Sequence, residues 1–200
     1  MNDRRETRRL FRLLSQMLEY PNAQLSDAAE EGAALAAGRD PEAALLLGRF
    51  ARGAASLPPG ALEEAFTQTF ELNPERSLYV GYHLFGESYK RSLFLLGLKE
   101  RYDRHGIDPG AELPDHLALM LRYISRVDDA AEVDEIIGQA LVPALDRILA
   151  QPEEQASGEG EGQVAEGSDV YVPLLRSVRR LLAGADHDPS RAEATGAARC

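Results

Sequence analysis

"TRRLFRLLSQMLEY", Thr7 to Tyr20, admits two readings that lead to different proteins. Paired arginines ahead of leucines have the outline of a twin-arginine export signal. Such a signal needs an unbroken apolar stretch after the arginines. Here Ser15, Gln16, Glu19, Asn22 and Gln24 interrupt it. Leu10, Leu13, Leu14, Met17 and Leu18 instead fall at i, i+3, i+4, i+7 and i+8, which is one face of an amphipathic helix. The stretch therefore reads as the first helix of a folded domain. No stretch approaches the length of a membrane span. The expectation is a soluble, cytoplasmic protein with no direct membrane insertion.

Composition extends the helical reading to the whole chain. Leu and Ala total 58 of the 200 residues, whereas Val, Ile and Thr together total 17. Helix formers dominate and strand formers are scarce, which points to an all-α fold. A net charge of -11 argues against nucleic acid as a partner and favours a cationic one. The single cysteine, Cys200, excludes an intrachain disulfide and a cysteine metal cage.

Punctuation divides the chain further. Tyr20 to Asn22 is a turn, and an Ala-rich helix follows from Leu25 to Ala37, closed by Gly38. Asp40 and Pro41 have the form of an N-cap and first helical residue, and "LPPG" ends that helix. The next runs from Ala61 to Phe70. Asn73-Pro74 repeats the cap pattern, after which Tyr79, Tyr82 and His83 fall at i, i+3, i+4 on one helical face, with Gly86 as the breaker. A Leu-rich helix from Ser88 to His105 carries Leu95, Leu98 and Tyr102 inward. Further helices run from Leu117 to Val127 and from Ala130 to Ala150, the latter kinked at Pro143. Residues 1–150 thus form a single helical bundle. Residues 151–169 carry six acids, four glycines and no base, the composition of a flexible acidic linker. A C-terminal helix over 170–183 docks back on the bundle, and 184–200 reads as a disordered tail.

The densest chemistry lies in "ELPDHL", Glu112 to Leu117. As a helix start, Pro114 keeps Leu113 out of helical geometry and Asp115 caps the amides of Leu117 or Ala118. That leaves Glu112 and His116 unexplained. A metal site is poorly served, because Asp115 and His116 are adjacent and point about 100° apart on a helix. His83, His105 and His187 add no paired-histidine spacing, so no residue is assigned to a metal or cofactor. Acid–base catalysis by Glu112, Asp115 and His116, as in a small helical metal-dependent or acid–base hydrolase, is the alternative function. The fourth reading is a rim that grips a partner. Tyr79, Tyr82 and His83, with Phe85 close by, fit either a core face or the wall of a peptide groove. A histidine near the positive end of a helix titrates close to physiological pH, so binding at His116 is expected to vary with pH.

"NPERSLYVGYHLFGESYKRSLFLLGLKERYDRHG" (Asn73 to Gly106), followed by "ELPDHLALMLRYI" (Glu112 to Ile124), resembles the nitrate reductase delta-subunit, or NarJ-type, assembly chaperones. These belong to the wider chaperone family for molybdoenzymes of the dimethyl sulfoxide reductase type. The likeness is strong over residues 66–126 and absent from the acidic segment and the tail. It implies an all-helical cytoplasmic chaperone and not an enzyme. Its partner would be the N-terminal segment of an apo molybdoenzyme catalytic subunit, most often respiratory nitrate reductase, held ready for molybdenum cofactor insertion before membrane docking. By that resemblance Tyr79, Tyr82, His83, Asp115 and His116 take a peptide-binding role; the aromatic and acidic character of the neighbouring Phe85 and Glu112 adds them to the expected peptide-binding positions, in a monomer or weak dimer. Arg122 stands soon after the signature, where the family often carries Glu, and alters charge matching to the partner.

Overall fold

The computed structural model describes residues 2–150 and 170–186. The acidic linker and the part of the tail beyond Asp186 lie outside the described residues. Ten α-helices occur among those described: α1 (Asn2–Met17), α2 (Leu25–Ala37), α3 (Pro41–Ser56), α4 (Ala61–Phe66), α5 (Val80–Phe85), α6 (Tyr89–Arg104), α7 (Leu117–Ile124), α8 (Ala130–Ile136), α9 (Val142–Ala150) and α10 (Tyr171–Asp186). No strand is formed among them, and the all-α expectation holds.

Burial explains the arrangement. The stripe Leu10, Leu13, Leu14, Met17 and Leu18 of α1 is buried, as its spacing requires. It packs on α2 and α7. Gly32 lets α1 and α2 approach, since a Cβ there would lie 3.0 Å from Met17 Cε. Leu117 to Leu121, Tyr123 and Ile124 of α7 are all buried. A helix apolar on every side belongs at the centre, and α7 occupies it. Ser15 Oγ donates to the Ala118 carbonyl at 2.8 Å and ties α1 to this central helix.

At the other end, α10 lies on α3. Tyr171 enters a nest of Phe50, Phe66 and Phe70, with ring centroids at 5.5, 5.7 and 4.9 Å. Ser177 Oγ donates to the Ala43 carbonyl at 2.9 Å. Asp40 caps α3 through the amides of Glu42 and Ala43, as its sequence position predicts, and also receives Arg180 of α10. α10 continues to Asp186, three residues past the expected end, with Leu181 and Leu182 buried.

Two helices depart from α-geometry. The segment read as one helix from Ala61 to Phe70 turns to a π-helix over Thr67–Glu71. That read from Ala130 to Ala150 contains a π-turn at Ile137–Leu141, directly before Pro143. Pro143 has no N–H to give the preceding turn, and a wide turn is one way to absorb the missing bond.

Candidate functional site

The segment after Phe70 does not stay helical. A 3-10 turn, Pro74–Arg76, capped by Asn73 through the Glu75 amide, is followed by extended backbone to Tyr79. Tyr79 and His116 form an isolated antiparallel bridge. The Val80 N–H donates to the Asp115 carbonyl at 2.9 Å, and the Leu117 N–H to the Leu78 carbonyl at 2.8 Å. The two motifs of the sequence are therefore clasped by backbone hydrogen bonds. This corrects the expectation of one helical face: Tyr79 precedes α5, because its backbone is committed to a partner far along the chain.

The Asp115 side chain lies behind the clasp, 0% exposed. Its Oδ2 accepts the Gly81 N–H at 3.2 Å and the Arg91 Nε and Nη2 at 3.2 and 3.1 Å. It does not cap α7, whose N-cap is His116 without a side-chain cap bond. The Leu117 amide is already taken by the Leu78 carbonyl, and the carboxylate pairs with the Arg91 guanidinium instead. Arg91 in turn stands 5.9 Å from the ring centres of both Tyr79 and Tyr82, within cation–π range. One arginine on α6 thus joins the buried acid to both tyrosines. Sequence reading passed over Arg91. The signal was an acid flanked by apolar residues, which demands a buried cation nearby.

The remaining predicted residues divide. Tyr79 Oη donates to Glu112 Oε2 at 3.2 Å, and its ring meets His116 edge-on at 5.5 Å. Glu112 is exposed, His116 half-buried, and together with Tyr79 they form an open rim. Burial raises the Tyr79 phenol above its ordinary range, aided by Glu112, so it stays an O–H donor. His83 turns away: its Nε2 donates to the Ser77 carbonyl at 2.7 Å, and its own carbonyl accepts Arg147. Phe85 is 37% exposed and leans on Phe94 of α6, ring centres 5.5 Å apart. Tyr102 Oη donates to the Pro114 carbonyl at 2.7 Å and fixes the loop from below. Arg122 donates to the Asp108 carbonyl, at the base of the same loop. A hollow of about 420 Å³ opens beside the rim, lined by Glu87, Ser88, Tyr89, Arg91, Ser92 and Leu95.

This geometry disperses a catalytic cluster. Asp115 is engaged by Arg91 and out of contact with solvent, and His83 is engaged by Ser77, so neither stands beside Glu112 and His116 to share a substrate. The arrangement presents a surface of ring edges, one carboxylate and one imidazole.

Gly81 is where α5 meets the signature loop. A Cβ there would lie 2.8 Å from Asp115 Oδ2, 3.0 Å from Phe94 Cδ1 and 3.3 Å from Arg91 Cγ. Gly81→Ala is expected to lose about 1–3 kcal/mol of stability, the usual cost of overpacking, measurable by urea unfolding. An unchanged midpoint would mean that the loop gives way freely.

The pH response departs from the sequence expectation. Burial holds the His116 imidazole below its ordinary value, against Glu112 and Asp115, which pull upward. Burial lowers His83 as well. In the unfolded chain both rings begin to bind protons near pH 6.5, before the folded ones do. Their contribution is therefore full above that pH and is lost as pH falls through the lower folded values. Urea midpoints are expected to be level from pH 8 to 7 and to drop below about pH 6.5. The double variant His83→Gln, His116→Gln should soften that drop.

The family model for the nitrate reductase delta subunit matches residues 11–151. Over 137 residues the chain is 31% identical to the nitrate reductase molybdenum cofactor assembly chaperone NarJ of Escherichia coli (strain K12), covering 66% of this chain and 58% of that one. It is 32% identical over 127 residues to the probable chaperone of the same name in Bacillus subtilis (strain 168), covering 63% and 61%. A third relative, the nitrate reductase-like protein NarX of Mycobacterium tuberculosis, is 30% identical over 123 residues, which are 61% of this chain and 18% of that one. The chain spans about three-fifths of the length of the first two relatives.

Proposed function

Since the chain belongs to the nitrate reductase delta subunit family, we propose that it is a non-enzymatic assembly chaperone in the cytoplasm that holds the N-terminal segment of an apo molybdoenzyme catalytic subunit. Respiratory nitrate reductase is the client that the relatives favour, and insertion of the molybdenum cofactor is the step such holding serves. The observation that carries the reading is the open rim of Tyr79, Glu112 and His116 backed by Arg91, with a hollow beside it.

The rim suits a peptide. Tyrosine and imidazole edges offer apolar contact with a polar tip, and Glu112 is placed for a Lys or Arg of the client. A neutral His116 offers a ring nitrogen to a backbone or side-chain group. Net charge of -11 draws a cationic segment and speeds its encounter. Asp115, Tyr102 and Gly81 act through geometry: they hold the loop where Glu112 and His116 face outward. Release of the finished client calls for moderate affinity, about -8 to -12 kcal/mol, or micromolar to nanomolar.

Calorimetry with a synthetic peptide of the client's N-terminus tests this. Glu112→Gln and His116→Ala are each expected to weaken binding by about tenfold, the loss of one charged or buried polar contact. Unchanged affinity in both variants would remove the rim from the binding site.

A further inference from the structure

A second surface lies on α6, where the sequence placed only an inward stripe. Tyr89, Leu93 and Leu96 are 76%, 51% and 54% exposed. At about 100° per residue they fall within roughly 60° of one another, at i, i+4 and i+7. The line continues to Glu100, also exposed. α6 packs chiefly on α5, and this face is uncovered by the other described residues. Tyr89 also lines the hollow together with Arg91, the residue that stands over Tyr79 of the rim.

Deepening the chaperone reading, on which this inference rests, we propose that the outer face of α6 is the docking surface for an amphipathic helix of the client. Its apolar anchors would lie along Tyr89, Leu93 and Leu96, and its basic residues would stand in line with those anchors at the two ends. The charges set that pattern. Glu87 and Glu100 lie at the ends of the stripe, and neither carries an ion pair among the described residues. Lys90 and Lys99, the only lysines of the chain, lie to either side of it. Bases on the partner's flanks would meet lysine, whereas bases at its ends meet carboxylate.

A second copy of this chain fits less well. Three apolar residues along about 10 Å of helix fall far short of the 20–30 residues a side of a stable dimer, and each copy carries the same excess of acid.

The test uses the full-length protein, a fluorescein-labelled peptide of the client's N-terminus, and the variants Leu93→Asp, Leu96→Asp and Glu100→Lys. All three residues are substantially exposed, so circular dichroism and melting should match the wild type. The expected result is a loss of affinity of about tenfold or more for each leucine variant, and a severalfold loss for Glu100→Lys that shrinks at high salt. Unchanged affinity in both leucine variants, with Glu112→Gln and His116→Ala still impaired, overturns the docking face and leaves the chaperone reading standing. Failure of the wild type to bind the peptide overturns both. A change in sedimentation mass in Leu93→Asp, with peptide affinity unchanged, assigns the face to self-association and overturns the proposal.

Discussion

Asp115→Ala should lower the free energy of unfolding by about 3–5 kcal/mol, the range found when one member of a buried ion pair is removed. The carboxylate is fully buried, and its loss leaves Arg91, itself only 18% exposed, without a counter-charge. The Gly81 amide loses its acceptor at the same time. Urea unfolding measures the loss. A shift below about 1 kcal/mol would show that water or a neighbour takes over the contacts. Since Oδ1 of Asp115 is buried without a hydrogen-bond partner among the described residues, the acid is not an optimal stabiliser. The double variant Asp115→Leu, Arg91→Met is accordingly expected to recover much of the stability. It should not recover peptide binding, because the loop then lacks the contact that sets its position. Recovery of both would reduce the pair to packing.

Tyr171→Ala is expected to cost a similar 3–5 kcal/mol. Its ring is wholly buried and touches Phe50, Phe66 and Phe70, so truncation opens a cavity among three aromatics drawn from α3, α4 and the π-turn. The hydroxyl has no hydrogen-bond partner among the described residues, and burial pushes its phenol well above the ordinary range. Tyr171→Phe should therefore be neutral or slightly stabilising. Thermal unfolding of the two variants separates ring from hydroxyl. Equal losses in both would locate the stability in an unseen polar contact of the hydroxyl.

What local pattern can specify was legible. The α1 stripe, the Asp40 and Asn73 caps and the break at Gly86 all follow from spacing or from residue type, and each lies where the sequence placed it. What depends on distant partners was not. Asp115 satisfies every local rule for a cap, yet Arg91 on another helix and Gly81 on a third claim it. Tyr79 satisfies the helical period, yet its backbone pairs with His116. The α6 face was obscured for another reason. Leu93, Phe94, Leu95, Leu96 and Leu98 are nearly continuous, so periodicity could not say which of them turn outward. Within the candidate site, Glu112 is exposed and His116 half-buried, whereas Asp115 is fully buried and His83 is tied to the Ser77 carbonyl.

The clasp between Leu78–Val80 and Asp115–Leu117 has a further consequence for how the chain tolerates change. Everything from α5 through α6 to the turn at Gly110 is an excursion whose two ends are knotted together beside the central helix. Entropy of closure rises only slowly with the length of such an excursion, by about 0.6 kcal/mol per doubling. Residues can thus be added at the exposed Gly110–Ala111 tip with little penalty, while a single proline at Val80, whose N–H closes the clasp, would untie it.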